Sequence, residues 1–309
     1  MHWKREMSDL VLAVYSITLI MGLPANLLAF YTFVQKVRRN AKPIDVLLLS
    51  LNISDLVFLF FLPFRMKEAV DMKWNFSYFF CAMSTFIFFT AIYNNTFLLT
   101  AISVERYLGV AFPIWYKIKR HPCNAVMASV IFLVLSMGHC SIIFIVQYRI
   151  PTNTTTQLVQ NACYAEFSNE QLKVLMPVRL ELFVLFFCIP FIICCFCYIN
   201  FILILSRLPN VNPKKRFRAI GLALATLLIF TICFMPYSVS HVVGYIEWHS
   251  PHWREYALLT STFNASLDPF IFYFSSSALR ETLKLCTRGL LKRLSCYPKA
   301  LYSHNSTDQ

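Results

Sequence analysis

The sequence predicts an all-α membrane protein, a seven-transmembrane helix bundle followed by a short amphipathic surface helix. Three observations carry that reading. Of 309 residues, 58% are hydrophobic and only 14% are charged, against about 25% charged in an ordinary soluble domain. Seven apolar runs are each long enough to cross a bilayer, which takes about 20 helical residues. Basic residues gather in alternate connections between the runs, the pattern that marks the cytoplasmic side.

The runs cover 9–35, 44–69, 78–109, 123–148, 174–206, 215–246 and 255–276. The first is longer than the apolar core of a secretory signal and is followed by further spans, so it reads as a retained helix. Lys36, Arg38, Arg39 and Lys42 follow the first run, and Lys117, Lys119 and Arg120 follow the third. Arg207, Lys214, Lys215, Arg216 and Arg218 follow the fifth, and six more lie between Arg280 and Lys299. Together these are 18 of the 28 Lys and Arg. They put these connections and the C-terminus in the cytoplasm, with residues 1–8 outside and the chain in the plasma membrane. Sequons at Asn75 and Asn153 fall in outer connections and are candidate glycosylation sites. Those at Asn52, Asn94 and Asn264 lie inside spans and should be inert, and Asn305 is cytoplasmic.

Residues 1–276 therefore form the bundle, and residues 277–309 a cytoplasmic helix and tail. In that tail Arg280, Lys284, Arg288 and Lys292 recur every four residues. Leu279, Leu283, Leu290 and Leu294 form the opposing stripe. This is a basic amphipathic helix on the anionic inner leaflet. Membrane lipid, not nucleic acid, thus explains the net charge of +13. Cys286 and Cys296 are either palmitoylation sites or plain thiols. Most of the eleven cysteines sit in apolar runs as small hydrophobes, and an odd count leaves at least one unpaired.

Ionisable groups inside spans are costly and mark function. Asp55 and Asp268 lie mid-membrane, with Asn26, Asn95 and Asn264 at comparable depth. Such oxygen-rich groups hold a cation such as sodium, share a proton, or simply bond helices together. Glu105, Arg106 and Tyr107 close the third span, where the two opposite charges are placed to pair with each other. Seven spans, this Glu-Arg-Tyr, Asp55, Asn26 in "GLPANLLA", Pro190, "CFMP" at 233–236 and Asp268-Pro269 resemble the rhodopsin-like G-protein-coupled receptors. The resemblance covers essentially the whole chain. It implies a disulfide between Cys81 and Cys163, and a cytoplasmic crevice lined by Arg106 and Tyr198 that opens as the sixth span bends near Pro236. Phe234 stands where that family usually has Trp, and Phe272 where it usually has Tyr.

Near the outer face lie Arg179, His241, Tyr237 and Arg254, with His139 in the fourth span. Phe234, Tyr237 and His241 are spaced i, i+3, i+7 and share one helix face. Two arginines and a histidine around an apolar cavity point to an anionic ligand, because the guanidinium fork suits a carboxylate. Arg179 has Glu181 nearby in sequence, but i and i+2 do not face each other on a helix; the other readings are that Arg179 snorkels outward and that Arg254 is a solvated loop residue beside Glu255. The strings "ISVERYLGVAFP", "SMGHC", "MPVRLEL", "SHVVGY", "NASLDP" and "YFSSS" closely resemble the free fatty acid receptors, above all their short-chain branch. That resemblance implies a carboxylate held by Arg179 and Arg254, assisted by His241, Tyr237 and His139. Glu166 is a candidate partner for an arginine in the empty pocket. It further implies a short-chain fatty acid ligand, a heterotrimeric G protein of the Gi/o class or of Gq, and arrestin.

Other readings are a receptor for longer fatty acids or another organic anion, and a carboxylate transporter. A transporter is disfavoured by the lack of an inverted repeat. No lysine in the seventh span offers a retinal Schiff base. No phosphate loop, nucleophile elbow or His-Glu-x-x-His motif suggests an enzyme or a cofactor.

Overall fold

The computed structural model describes residues 5–149, 163, 168–209, 211–285, 287 and 288. All regular structure among them is helical. The helices are α1 (Arg5–Asn40), α2 (Pro43–Asp71), α3 (Tyr78–Ala111), α4 (Pro113–Lys119), α5 (Pro122–Arg149), α6 (Asn169–Arg207), α7 (Pro213–Glu247), α8 (Arg254–Thr262) and α9 (Asn264–Ser275). A further helix, α10, runs over 277–285. Of these, α1, α2, α3, α5, α6 and α7 are long and apolar enough to cross a membrane. The seventh run becomes α8 and α9, separated only at Phe263. Apolar side chains such as Ile20, Phe60 and Ile192 point outward on the spans, as they do where lipid is the solvent.

Local chemistry explains where the helices begin and end. Proline opens α2, α4, α5 and α7, where its missing N–H is not needed. The α6 start is a capping box in which Ser168 and Gln171 satisfy each other's backbone. Met72 and Trp248, both at positive φ, end α2 and α7. Most helices therefore outrun the apolar stretch read from sequence by a few residues.

Prolines inside the spans leave carbonyls without their usual donors, and neighbouring spans supply new ones. Pro269 cannot donate to the Ala265 carbonyl four residues back. Asn26 Nδ2 donates to that oxygen instead, at 2.7 Å. The approach is close because Gly22 faces it: a Cβ there would lie 3.2 Å from the same oxygen. On α7 the Cys233 carbonyl, three residues before Pro236 and next to the Ile232 carbonyl that this proline cannot serve, accepts from Ser261 at 2.8 Å and Thr260 at 3.2 Å on α8. In α6 a five-residue π turn, Val184–Cys188, precedes Pro190. The turn sends Phe186 and Phe187 inward.

Candidate functional site

At the outer end, α8 begins at Arg254 and sends that side chain toward α7. Arg254 Nη2 donates to the Tyr237 hydroxyl at 2.6 Å. Its Nη1 donates to His241 Nδ1 at 3.1 Å and reaches Ser240 Oγ at 3.4 Å. The guanidinium also lies 4.7 Å from the centre of the Tyr237 ring. A guanidinium only donates, so His241 Nδ1 must accept. The imidazole is then neutral, with its proton on Nε2, and that proton goes to the Tyr93 hydroxyl on α3 at 3.2 Å. One chain of bonds therefore joins α8, α7 and α3.

Arg179, on α6, is only 8% exposed. Its Nη1 donates to Ser250 Oγ at 2.9 Å, in the connection between α7 and α8, and contacts Met176 Sδ at 3.7 Å. Glu181 points the other way: it is 47% exposed and its carboxylate lies 4.0 Å from His139 Nε2. The i, i+2 argument holds here. His139 does not join the arginine cluster directly. It meets the Phe186 ring edge-on, and Phe186 in turn packs against Tyr93.

At the inner end, Glu105 and Arg106 do not pair with each other, contrary to the expectation from sequence. Adjacent helical residues point about 100° apart, so their side chains diverge. Glu105 instead takes Arg120, at the end of α4, with N···O of 2.8 Å. Arg106 donates to the Tyr198 hydroxyl on α6 (3.1 Å), to Thr226 on α7 (3.2 Å) and to Ser275 on α9 (2.7 Å). Tyr107 packs on Phe196 and Phe112. Arg106 thus fastens three other spans to α3 at this end of the bundle.

A family model, 7 transmembrane receptor (rhodopsin family), matches residues 25–272. Free fatty acid receptor 3 of Mus musculus is 45% identical over 94% of this chain and 89% of its own length. Free fatty acid receptor 2 of Homo sapiens is 47% identical over 90% of this chain and 84% of its own. The chain belongs to the rhodopsin-like G-protein-coupled receptors, within the free fatty acid receptor family. The receptor is therefore a multi-pass plasma-membrane protein with a ligand and a heterotrimeric G protein as partners, and it is not an enzyme. Across types 2 and 3 the identities run from 43% to 47% and do not separate the two.

Midway through the receptor, Asn95 donates to Asp55 at 2.8 Å and Asn264 to Asp268 at 2.7 Å. Both aspartates are fully buried and lie beside one another. Asp55 Oδ2 and Asp268 Oδ1 have no hydrogen-bond partner among the described residues. Asn26 serves α9 and also accepts from Asn52 at 2.8 Å, so it belongs to a separate structural bond set. Among the described residues no group of three or more His, Cys, Asp or Glu is placed to hold a metal.

The Cys81–Cys163 disulfide is formed. Sequence reasoning missed what holds it. Glu68 accepts from the Cys163 N–H at 2.7 Å and from Arg65 at 2.8 Å, while Arg65 also donates to Thr85 at 2.7 Å. The signal was present: opposite charges at i, i+3 within the second apolar run. Tyr93 was missed too, although a tyrosine buried in a span needs a partner for its hydroxyl. Phe234 is buried against Phe230, below Tyr237 on the same helix face. Asn75 is exposed in the turn between α2 and α3. Glu166, Asn153, Cys286 and Cys296 lie outside the described residues.

Proposed function

We propose that the receptor senses short-chain carboxylic acids such as acetate, propionate and butyrate at the outer arginine cluster. The observation that carries this reading is the set of partners of Arg254. Tyr237, His241 and Ser240 are all neutral, so a half-buried cation has hydrogen bonds but no carboxylate paired with it directly among the described residues; Glu255, its neighbour in sequence, acts on it only from beyond ion-pair distance. Desolvating a cation without a paired counter-charge is unfavourable. A carboxylate supplies that charge and binds the guanidinium fork in two places. Arg179 approaches from α6, so one small anion is held between α6 and α8, with His241 and Tyr237 as neutral donors or acceptors beside it. Phe89, stacked on Tyr237, supports an apolar wall for the alkyl end. His139 acts at one remove, through Phe186 and Tyr93. Glu166 is taken as a further partner of an arginine before ligand arrives.

Ligand size bounds the affinity. Each buried CH₂ contributes about 0.8 kcal/mol, and the best tiny ligands reach about 1.5 kcal/mol per heavy atom. A three-carbon acid then binds with about 4–6 kcal/mol, roughly millimolar to tens of micromolar.

Signalling follows as a population shift. The acid favours the arrangement in which α6, α7 and α8 draw together outside. Inside, α7 must release Arg106 at Thr226 and swing about Pro236, beside Phe234. The freed Arg106 and Tyr198 then line a crevice for a G protein of the Gi/o class, with Gq as a second class and arrestin as a later partner. Glu105 and Tyr107 hold the adjoining loop side of α3. A sodium ion or a shared proton between Asp55 and Asp268, helped by Asn95 and Asn264, favours the resting arrangement, since two adjacent buried carboxylates repel. In this reading residues 1–276 form the receptor domain, with an extracellular N-terminus and glycans at Asn75 and Asn153. Residues 277–309 form the inner-leaflet helix and tail.

The test is acid-stimulated GTPγS binding in membranes, with acetate, propionate, butyrate and a long-chain acid over a wide dose range. The reading expects responses to the short acids. A response to the long acid alone moves the receptor to a longer-chain ligand. Uptake of labelled acid with no change in nucleotide exchange makes it a transporter.

A further inference from the structure

We infer that the connection between α7 and α8 is a rigid bridge that sets the position of Arg179 relative to Arg254, and that Ser250 is the positioning residue that joins it to Arg179. The inference deepens the proposed function and rests on it for its consequence for the ligand, but the bridge itself stands on geometry. Trp248 turns the chain at φ 55° as α7 ends. The next residues fold back onto α7 at Gly244, where an added Cβ would meet the His249 carbonyl at 3.2 Å and Pro251 Cδ at 3.5 Å. Pro251 is buried. Its carbonyl accepts from the Arg254 N–H at 3.0 Å, which starts α8. Between these two fixed points stands Ser250, whose hydroxyl oxygen accepts from Arg179 Nη1 at 2.9 Å.

Ser250 and Arg254 are therefore four residues apart in one braced turn. Arg179, on a different span, is bound to the first, while the second carries the other guanidinium. Met176 closes the corner from below: its sulfur lies 3.8 Å from the Gly244 Cβ position and 3.7 Å from Arg179 Nη1. Backbone closeness at Gly244, the buried Pro251 and the Ser250 bond all act in the same direction. They hold the two guanidiniums at a separation that does not depend on a ligand being present. The bound carboxylate then meets a preformed pair and need not assemble one.

Valine and threonine have the same shape and differ at this position only in the hydroxyl. Full-length receptor is prepared as wild type, Ser250→Thr, Ser250→Val and Arg179→Ala. Deuterium uptake is followed in peptides covering 248–253, without any acid. Faster exchange in Ser250→Val and in Arg179→Ala, with Ser250→Thr near wild type, is the expected result. Equal exchange in the Val and Thr variants overturns the bridge, whatever the ligand. In GTPγS assays with propionate, Ser250→Val should raise EC50 about tenfold, the worth of a hydrogen bond to a charged group. The maximal response should stay unchanged, and Ser250→Thr should restore potency. An unchanged EC50 in Ser250→Val, in a receptor whose wild type responds, removes the positioning role and leaves the carboxylate reading intact. A difference in exchange with no response to any carboxylate in wild type keeps the bridge and ends the carboxylate reading.

Discussion

Arg254 and Arg106 sit at opposite ends of the bundle, and neutral groups hold both. Arg254 bonds Tyr237, His241 and Ser240, all on α7. Arg106 bonds Tyr198, Thr226 and Ser275, on three different helices. The difference lies in how many helices each arginine fastens. The outer arginine joins α8 to α7 and reaches α3 only through His241 and Tyr93, so an anion there adds a connection. The inner arginine already ties α3 to everything that must move, so work there means losing bonds. In the proposed function, similar chemistry acts as a socket at one end and a latch at the other.

The largest effect should come from removing the socket. Arg254→Ala is expected to raise the EC50 for propionate about 100-fold or more, as removal of one partner of a desolvated charge pair does. Arg254→Lys should recover little of it, because a lysine offers no fork. Dose-response in GTPγS binding, with surface expression matched, measures both. An Arg254→Ala receptor that responds like wild type erases the contrast between the two ends.

A smaller loss is expected from breaking the chain behind the socket. His241→Ala removes an acceptor from Arg254 and should weaken propionate about tenfold; Tyr93→Phe, one bond further away, should weaken it about threefold. Equal losses in both would mean that Tyr93 touches the ligand itself.

The latch predicts the opposite sign. Ser275→Ala removes the 2.7 Å bond to Arg106, so basal nucleotide exchange should rise severalfold without ligand, for a bond worth about 1 kcal/mol. Basal exchange that falls instead would make Ser275 part of the active arrangement.

Smallest of all is the loop-side pair. Glu105→Gln and Arg120→Gln cut the same contact, so each should shift basal exchange by no more than about threefold, and the double variant should do no more than either single one. Additive effects would give Glu105 a second partner that matters.

What the sequence revealed followed from distances along one helix. The seven runs, the shared face of Phe234, Tyr237 and His241, and the divergence of Arg179 from Glu181 all depend on spacing within a span. What it hid depended on how spans rotate against each other. Tyr93 is an ordinary tyrosine until α3 turns it toward His241. Glu105 has an obvious neighbour in Arg106, yet takes Arg120 because α4 folds back beneath α3. Ser250 sits in a polar connection, and nothing in its own sequence points to Arg179. Arg65 and Glu68 were legible by the same charge argument that selected Asp55, and their pairing needed only i, i+3 spacing.

The most direct measurement compares propionate with propionamide, its neutral analogue of similar shape, as agonists in GTPγS binding on the wild-type receptor. The account predicts a full response to propionate, and none to propionamide at tenfold higher concentration, because only the carboxylate forms the direct ion pair that Arg254 lacks. Equal potency of the two would contradict it, since a site that takes the amide as readily as the acid is not built around an arginine that lacks a direct ion pair.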